Sequence, residues 1–138
     1  MIINGKKTSI NASQKKLYDF LSDFNNFEHL MPEQIVNWKS DKEHCSFTIK
    51  GMADISLKYS VKEPYRLLEL VPDGKSPVNF NLVIRIQPDE LNEQKTTVRV
   101  DVDADLNPMM ALIAKRPFED LANSMTDRLN KYFEKENE

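Results

Sequence analysis

Apolar residues recur with two different periods along this chain, and the change of period marks its elements. Leu17, Phe20, Leu21 and Phe24 follow Ser13 at i, i+3, i+4 and i+7 spacing. That spacing predicts a helix with one buried face, Ser13 at its N-cap and the residues up to about Ile10 as a strand before it. A short helical turn is predicted over Phe27 to Met31, ended by Pro32, because a proline pushes the residue before it out of the helical region. From there the period is two. Cys45, Phe47 and Ile49 alternate with His44, Ser46 and Thr48, and Ile55, Leu57, Tyr59 and Val61 alternate with polar neighbours. Both segments read as strands with one packed face. Ser40 to Glu43 and Gly51-Met52 supply the turns around them.

Phe80, Leu82, Ile84 and Ile86 predict another alternating strand. Val98, Val100, Val102 and Ala104 predict the most regular one, with Arg99, Asp101 and Asp103 on its wet face. Tyr65 to Val71 reads as a strand of unassigned face, since the adjacent Leu67 and Leu68 point opposite ways, and a turn at Pro72 to Lys75 ends it. Asn107-Pro108 opens a long helix toward Tyr132, capped by Asn107. Pro117 predicts a kink in it, and Phe118, Leu121, Ala122, Met125 and Leu129 carry its apolar stripe. The charged run from Lys131 to Glu138 reads as a solvated, fraying end.

The order strand, two helices, antiparallel strands and long terminal helix resembles the START-like superfamily. Its other names are polyketide-cyclase-like, birch-pollen-allergen-like and SRPBCC, and its architecture is the helix-grip fold. The stretches Ile10 to Ser13, Leu17 to Phe24 and Phe27 to Pro32 look like that family's opening, and the likeness to small bacterial members covers nearly the whole chain. The resemblance implies an α+β fold, one domain over residues 1–138, in which a curved antiparallel sheet wraps around the C-terminal helix. It also implies a cavity between sheet and helix for a small hydrophobic molecule such as a lipid, isoprenoid or aromatic compound. Phe47, Ile55, Leu57, Tyr59, Phe80, Leu82, Ile84, Val100 and Val102 would line the sheet side. Met109, Met110, Ile113, Phe118 and Leu121 would line the helix side, and Phe24, Phe27, Leu30 and Met31 would stand near the mouth. The birch-pollen branch has a glycine-rich loop where this chain has Ser40-Asp41-Lys42-Glu43, so a phosphate cradle is not expected there.

Composition narrows the partners. With 19 Lys and Arg against 22 Asp and Glu the net charge is −3, which lacks the basic surface nucleic acid requires. No apolar run approaches the roughly 20 residues of a membrane span, and the N-terminus has no apolar stretch of the secretory kind. One cysteine, Cys45, makes no intrachain disulfide. A cytoplasmic protein is expected on these grounds.

Candidate chemistry is sparse. Asp101, Asp103, Asp105 and Asn107 are spaced like calcium-loop ligands, but Leu106 and Leu112 stand where that loop needs glycine and glutamate. Those carboxylates read instead as a solvated strand face. His44 and Cys45 point to opposite sides of a strand, so no metal site is expected from them. No catalytic residues and no cofactor are assigned. Tyr59, expected to point inward, could hydrogen-bond a ligand or act as an acid in a cyclase- or dehydratase-like enzyme. Trp38 would serve as a stacking wall or as packing under the first helices. A third reading, a protein-interaction domain like the chaperone-cofactor branch, requires a filled core and an exposed apolar patch.

Overall fold

The computed structural model describes residues 1–136. Strands β1 (Ile2–Asn4) and β2 (Thr8–Ile10) lead into helix α1 (Gln14–Leu21) and two 3-10 turns, Phe24–Asn26 and Glu28–Leu30. Strands β3 (Ile35–Ser40), β4 (His44–Ile49), β5 (Ala53–Glu63), β6 (Leu67–Pro72), β7 (Asn79–Pro88) and β8 (Thr96–Asp105) follow, and α2 (Pro108–Glu136) ends the fold. The sheet runs β1-β8-β7-β6-β5-β4-β3 with β2 also on β8, and every pairing is antiparallel.

The helix signals work as their chemistry dictates. Ser13 Oγ accepts the Lys16 N–H at 3.1 Å and Asn107 Oδ1 accepts the Met110 N–H at 2.8 Å, each satisfying an amide the first helical turn leaves unpaired. Helix α1 ends at Leu21, one turn earlier than the apolar spacing suggests, and Phe24 is buried from the following 3-10 turn. Tyr18 takes a place on the buried side of α1, while Phe20 is half-buried against Tyr132 and Phe133 of α2. Met31 is extended before Pro32 (φ −84°, ψ 141°). The helical conformation of α2 passes through Pro117 without interruption, and Phe133 is buried near its far end. The predicted fraying run is therefore ordered helix as far as Glu136, and Asn137 and Glu138 lie outside the described residues.

The opening strand is split rather than continuous. Gly5 sits at the break, its N–H donating to Val100 O at 2.9 Å, and a Cβ there would collide with that oxygen and touch Ala122 of α2. Only glycine lets β1, β8 and α2 come this close. Helix α2 packs against β8, β1, β2 and the second 3-10 turn, and Lys6 fastens it with an ion pair to Asp127 at 2.7 Å.

Alternation predicts the packed face of the sheet. Cys45, Phe47 and Ile49, then Ile55 and Leu57, then Phe80, Leu82, Ile84 and Ile86, then Val98, Val100, Val102 and Ala104 are all buried. They join α2 in one apolar cluster. On β6 the inward residues are Leu68 and Leu70, and Leu67 is half-buried. One expectation fails on the outer face. Asp101 is not solvated: it is only 8% exposed, and its Oδ2 accepts from Arg85 Nε at 3.2 Å and from Arg99 Nε and an Arg99 terminal nitrogen at 3.2 and 3.0 Å. The two arginines face each other across β7 and β8, and the carboxylate between them relieves a repulsion that directly opposed like charges would otherwise impose.

Candidate functional site: the space between sheet and helix

Strand β3 was not foreseen, and it shapes the site. A bulge between Val36 and Lys39 inserts one extra residue, with Asn37 in the left-handed region at φ 58°. Asparagine tolerates that region better than most residues, and a bulge re-aims the side chains that follow it. Trp38 thereby comes to lie parallel to Phe47 at 5.5 Å and 8°, and Phe27 also stacks with it at 6.3 Å and 16°. Its Nε1 donates to Ser40 Oγ at 3.1 Å. Trp38 is thus both a stacking wall and packing beneath the 3-10 turns.

Phe24, Phe27, Met31, Phe47, Leu57, Leu82 and Leu121 surround one internal void, together with Trp38, Leu70 and Met125. Leu70 and Met125 complete the lining beyond the residues expected from sequence, and Trp38 stands in it as a wall. Leu70 escaped because the face of β6 was not assigned, and Met125 because its stripe reads equally as core. Leu30, Ile55, Phe80, Ile84, Val100, Val102 and Phe118 are also buried, but as packing around this space. Phe80 and Phe118 meet at 4.9 Å between sheet and helix. The void measures about 10 Å³, at the lower limit of what one water needs. Around this void the sheet and α2 are packed together by their own side chains.

The start of α2 does not line it. Met109 is 74% exposed and Ile113 51%, with Met110 half-buried. At about 100° per residue, the inward face carries Ala114, Phe118, Leu121, Ala122, Met125 and Leu129. Met109, Leu112, Ile113 and Arg116 consequently fall on the opposite side, and Leu112 is 84% exposed. The apolar stripe read from Phe118 onward is real, but its extension back to Met109 is not.

Tyr59, half-buried, stacks on Phe24 at 4.3 Å, and its hydroxyl donates to Leu21 O at 2.6 Å. Burial raises its pKa well above the usual tyrosine value, as it does for Cys45, whose thiol is pushed up to about 12. Both stay protonated near neutrality. The other buried polar side chains among the described residues are Thr96 and Thr126, bonded to the carbonyls of Ala12 and Asn123, and Asp101 on the outer face. The Cys45 thiol and the Tyr18 hydroxyl are the buried titratable groups whose charge acts on Tyr59, and burial holds the thiol protonated. His44 is exposed beside Asp41 while Cys45 is buried behind it. Among the described residues no three His, Cys, Asp or Glu side chains gather as a metal-binding group, and no helix is long and apolar enough to cross a membrane.

Solved structures with the same architecture extend over the whole chain. A START superfamily protein from Mycobacterium smegmatis superposes with a TM-score of 0.69 at 13% identity, over 97% of each chain. The architecture is the helix-grip fold. A point mutant of Thalictrum flavum norcoclaurine synthase, in complex with a transition-state analogue, shares the fold with a TM-score of 0.70 at 13% identity, covering 100% of this chain and 96% of its own. A Deinococcus radiodurans protein does so with a TM-score of 0.68 at 11% identity, over 99% and 97%. No family model matches the sequence, and none of the curated proteins does. At these identities the likeness establishes the START-like helix grip and leaves function to the residues.

Proposed function

We propose that this helix-grip chain is a non-catalytic binding module for a small neutral apolar molecule, taken up between the sheet and α2. The observation that carries the reading is the chemistry of the space around the void. Stacked Phe27, Trp38 and Phe47, the adaptable thioethers of Met31 and Met125, and three leucines from the sheet face it, and the Tyr59 hydroxyl behind Phe24 is already committed to Leu21. Apolar pockets with few polar groups suit retention of hydrophobic molecules, and unbranched Met side chains repack around variable contents. The void is far smaller than a ligand, so entry requires Met31, Met125 and the aromatic ladder to move outward. A cyclase or dehydratase would need a second acid or base near Tyr59 able to move a proton; the buried Cys45 thiol, pushed up to about 12, does not supply it near neutrality, so the enzyme reading draws less support. The reading places the chain in a reducing cytoplasm, which suits the buried, unpaired thiol of Cys45.

Trp38 is the only tryptophan and stands in the wall, so its emission reports entry. Titration with the neutral probes geraniol, naphthalene and a monoacylglycerol is expected to give a saturable change in Trp38 fluorescence and a rise in Tm that grows with probe concentration. No saturable change with any of the three, at constant Tm, would refute it. One observation favours a protein-interaction domain as the second reading: the core is filled while Met109, Leu112 and Ile113 form an exposed apolar arc. Failure of all three probes would leave that reading the better supported.

A further inference from the structure

On the outside of the grip a groove of about 540 Å³ runs between α1 with the 3-10 turns and the far half of α2. Arg128, Lys131 and Lys135, at i, i+3 and i+7 on α2, form one wall, and His29 approaches from the second 3-10 turn. No carboxylate lines the groove. In a chain of net charge −3, three cations and a histidine around one recess are a local inversion of sign, the arrangement that concentrates anions.

Arg128 and Lys131 also border an adjoining recess that holds Glu33, Asp120 and Asp127, but among the described residues no acid pairs with them: Asp120 accepts from Gln34 at 2.5 Å and lies 4.0 Å from Arg116. Asp127 is taken by Lys6 at 2.7 Å, Glu136 by Lys16 at 3.7 Å, and Asp23 by the Asn25 N–H at 2.9 Å. Among the described residues Arg128, Lys131, Lys135 and His29 take part in no ion pair. The negative end of the α2 dipole accounts for Lys135 alone, because that effect fades within the last turn and Arg128 lies about two turns earlier. The floor is aromatic. Phe20 and Tyr132 meet at 4.7 Å with planes 41° apart, and Tyr132 is exposed. Asn25 at the rim accepts the Ser40 hydroxyl on its Oδ1 at 2.8 Å, and its Nδ2 donors engage no acceptor among the described residues.

We propose that this groove binds a small organic oxyanion, its phosphate or carboxylate held by Arg128, Lys131 and Lys135 and its ring seated on Phe20 and Tyr132. The guanidinium fork suits bidentate contact with either anion, and the volume is within the range of small-molecule sites. The site is separate from the grip.

The full chain, labelled with nitrogen-15, is titrated in turn with phenyl phosphate, benzoate and inorganic phosphate while amide shifts are followed. Saturable shifts at His29, Arg128, Lys131, Tyr132 and Lys135 are expected with at least one aromatic probe, and the tighter of the two names the anion. Affinity is expected to fall as salt rises. Loss and reversal of one charge-assisted contact in Lys131→Glu should weaken binding by roughly tenfold or more. Tyr132→Ala should weaken the aromatic probes but not inorganic phosphate. Lys131 is exposed, so its variant should keep the parent spectrum elsewhere, while Tyr132→Ala also removes ring contacts with Phe20 and Phe133 and should shift those residues before any probe is added. The proposal is overturned if neither aromatic probe gives a saturable shift, if Lys131→Glu binds as the parent does, if inorganic phosphate binds as tightly as phenyl phosphate, or if shifts centre on Trp38 inside the grip.

Discussion

Removing the Tyr59 hydroxyl tests both the packing and the functional reading. Helix α1 ends at Leu21, whose carbonyl would ordinarily be met by the N–H four residues on. That N–H, on Asn25, is donated instead to Asp23 Oδ1 at 2.9 Å. The Leu21 carbonyl is therefore one of the orphan acceptors of a helix end, and the Tyr59 hydroxyl satisfies it at 2.6 Å. Tyr59→Phe keeps the ring stacked on Phe24 and deletes only that bond. A partly buried acceptor left without its donor costs about 1 to 2 kcal/mol, a fall in Tm of roughly 3 to 10 °C for a chain of this size. Thermal and urea denaturation measure it, and the urea slope should not change, since the exposed surface is the same. A Tm equal to the parent's would show that Leu21 O finds water in the variant and that the bond contributes nothing. The functional arm is separate: binding of neutral probes should survive in Tyr59→Phe, whereas an acid in a cyclase-like reaction could not be replaced by phenylalanine.

Two further perturbations follow from the same contacts. Gly5→Ala places a methyl against Val100 O on β8, a backbone atom that cannot rotate away, so a loss of about 1 to 3 kcal/mol is expected in urea denaturation; parent-like stability would mean the β1 to β2 break shifts freely. Alkaline pH should destabilise the fold through Cys45. Its pKa is about 12 when folded against 9.0 for an ordinary thiol, so the unfolded chain releases the proton first and stability is full below pH 9. Between those values it should fall by about 1.4 kcal/mol per pH unit from this group. Tyr59, also raised, acts with the same sign above its ordinary value. Cys45→Ala should remove the thiol's share of the slope, and an unchanged slope in that variant would refute the assignment.

What the sequence made legible was whatever a single period encodes. The strands around Phe80 to Ile86 and Val98 to Ala104 pack on one face only, so alternation alone locates them and their inward residues. The caps at Ser13 and Asn107 were legible because a side-chain oxygen at that position has a specific amide to meet. Strand β3 was not, because the bulge at Asn37 breaks its alternation just where Trp38 turns inward. The start of α2 was misplaced for a different reason. The stripe from Phe118 onward, continued backward at about 100° per residue, reaches Ala114 and leaves Met109 and Ile113 on the opposite side of the helix, so apolar character alone misassigned them. Asp101 looked like its neighbour Asp103 in sequence, and only the cross-strand register, which sets Arg85 opposite Arg99, distinguishes them. The outer groove joins His29 to Lys131 across about a hundred residues of chain, a proximity no local pattern carries.

The second 3-10 turn connects the two proposed sites. Phe27 and Met31, at its ends, face the internal void, while His29 and Leu30 between them line the outer groove. The turn is held to α2 by the Ser124 hydroxyl, which donates to Leu30 O at 3.1 Å. With only about 10 Å³ free inside, a molecule entering the grip has to displace side chains, and Met31 is among the most adaptable of them. A Met31 displacement taken up by side-chain rotation leaves the turn in place, whereas one that shifts its backbone would carry His29 relative to Arg128 and Lys131. In the second case the two proposed sites would be coupled, equally in both directions, and Trp38 emission titrated with a neutral probe in the presence and absence of phenyl phosphate would show it as a shift in affinity. One short turn thus borders both the void and the outer groove, and an unchanged affinity in that titration would show the two to be independent.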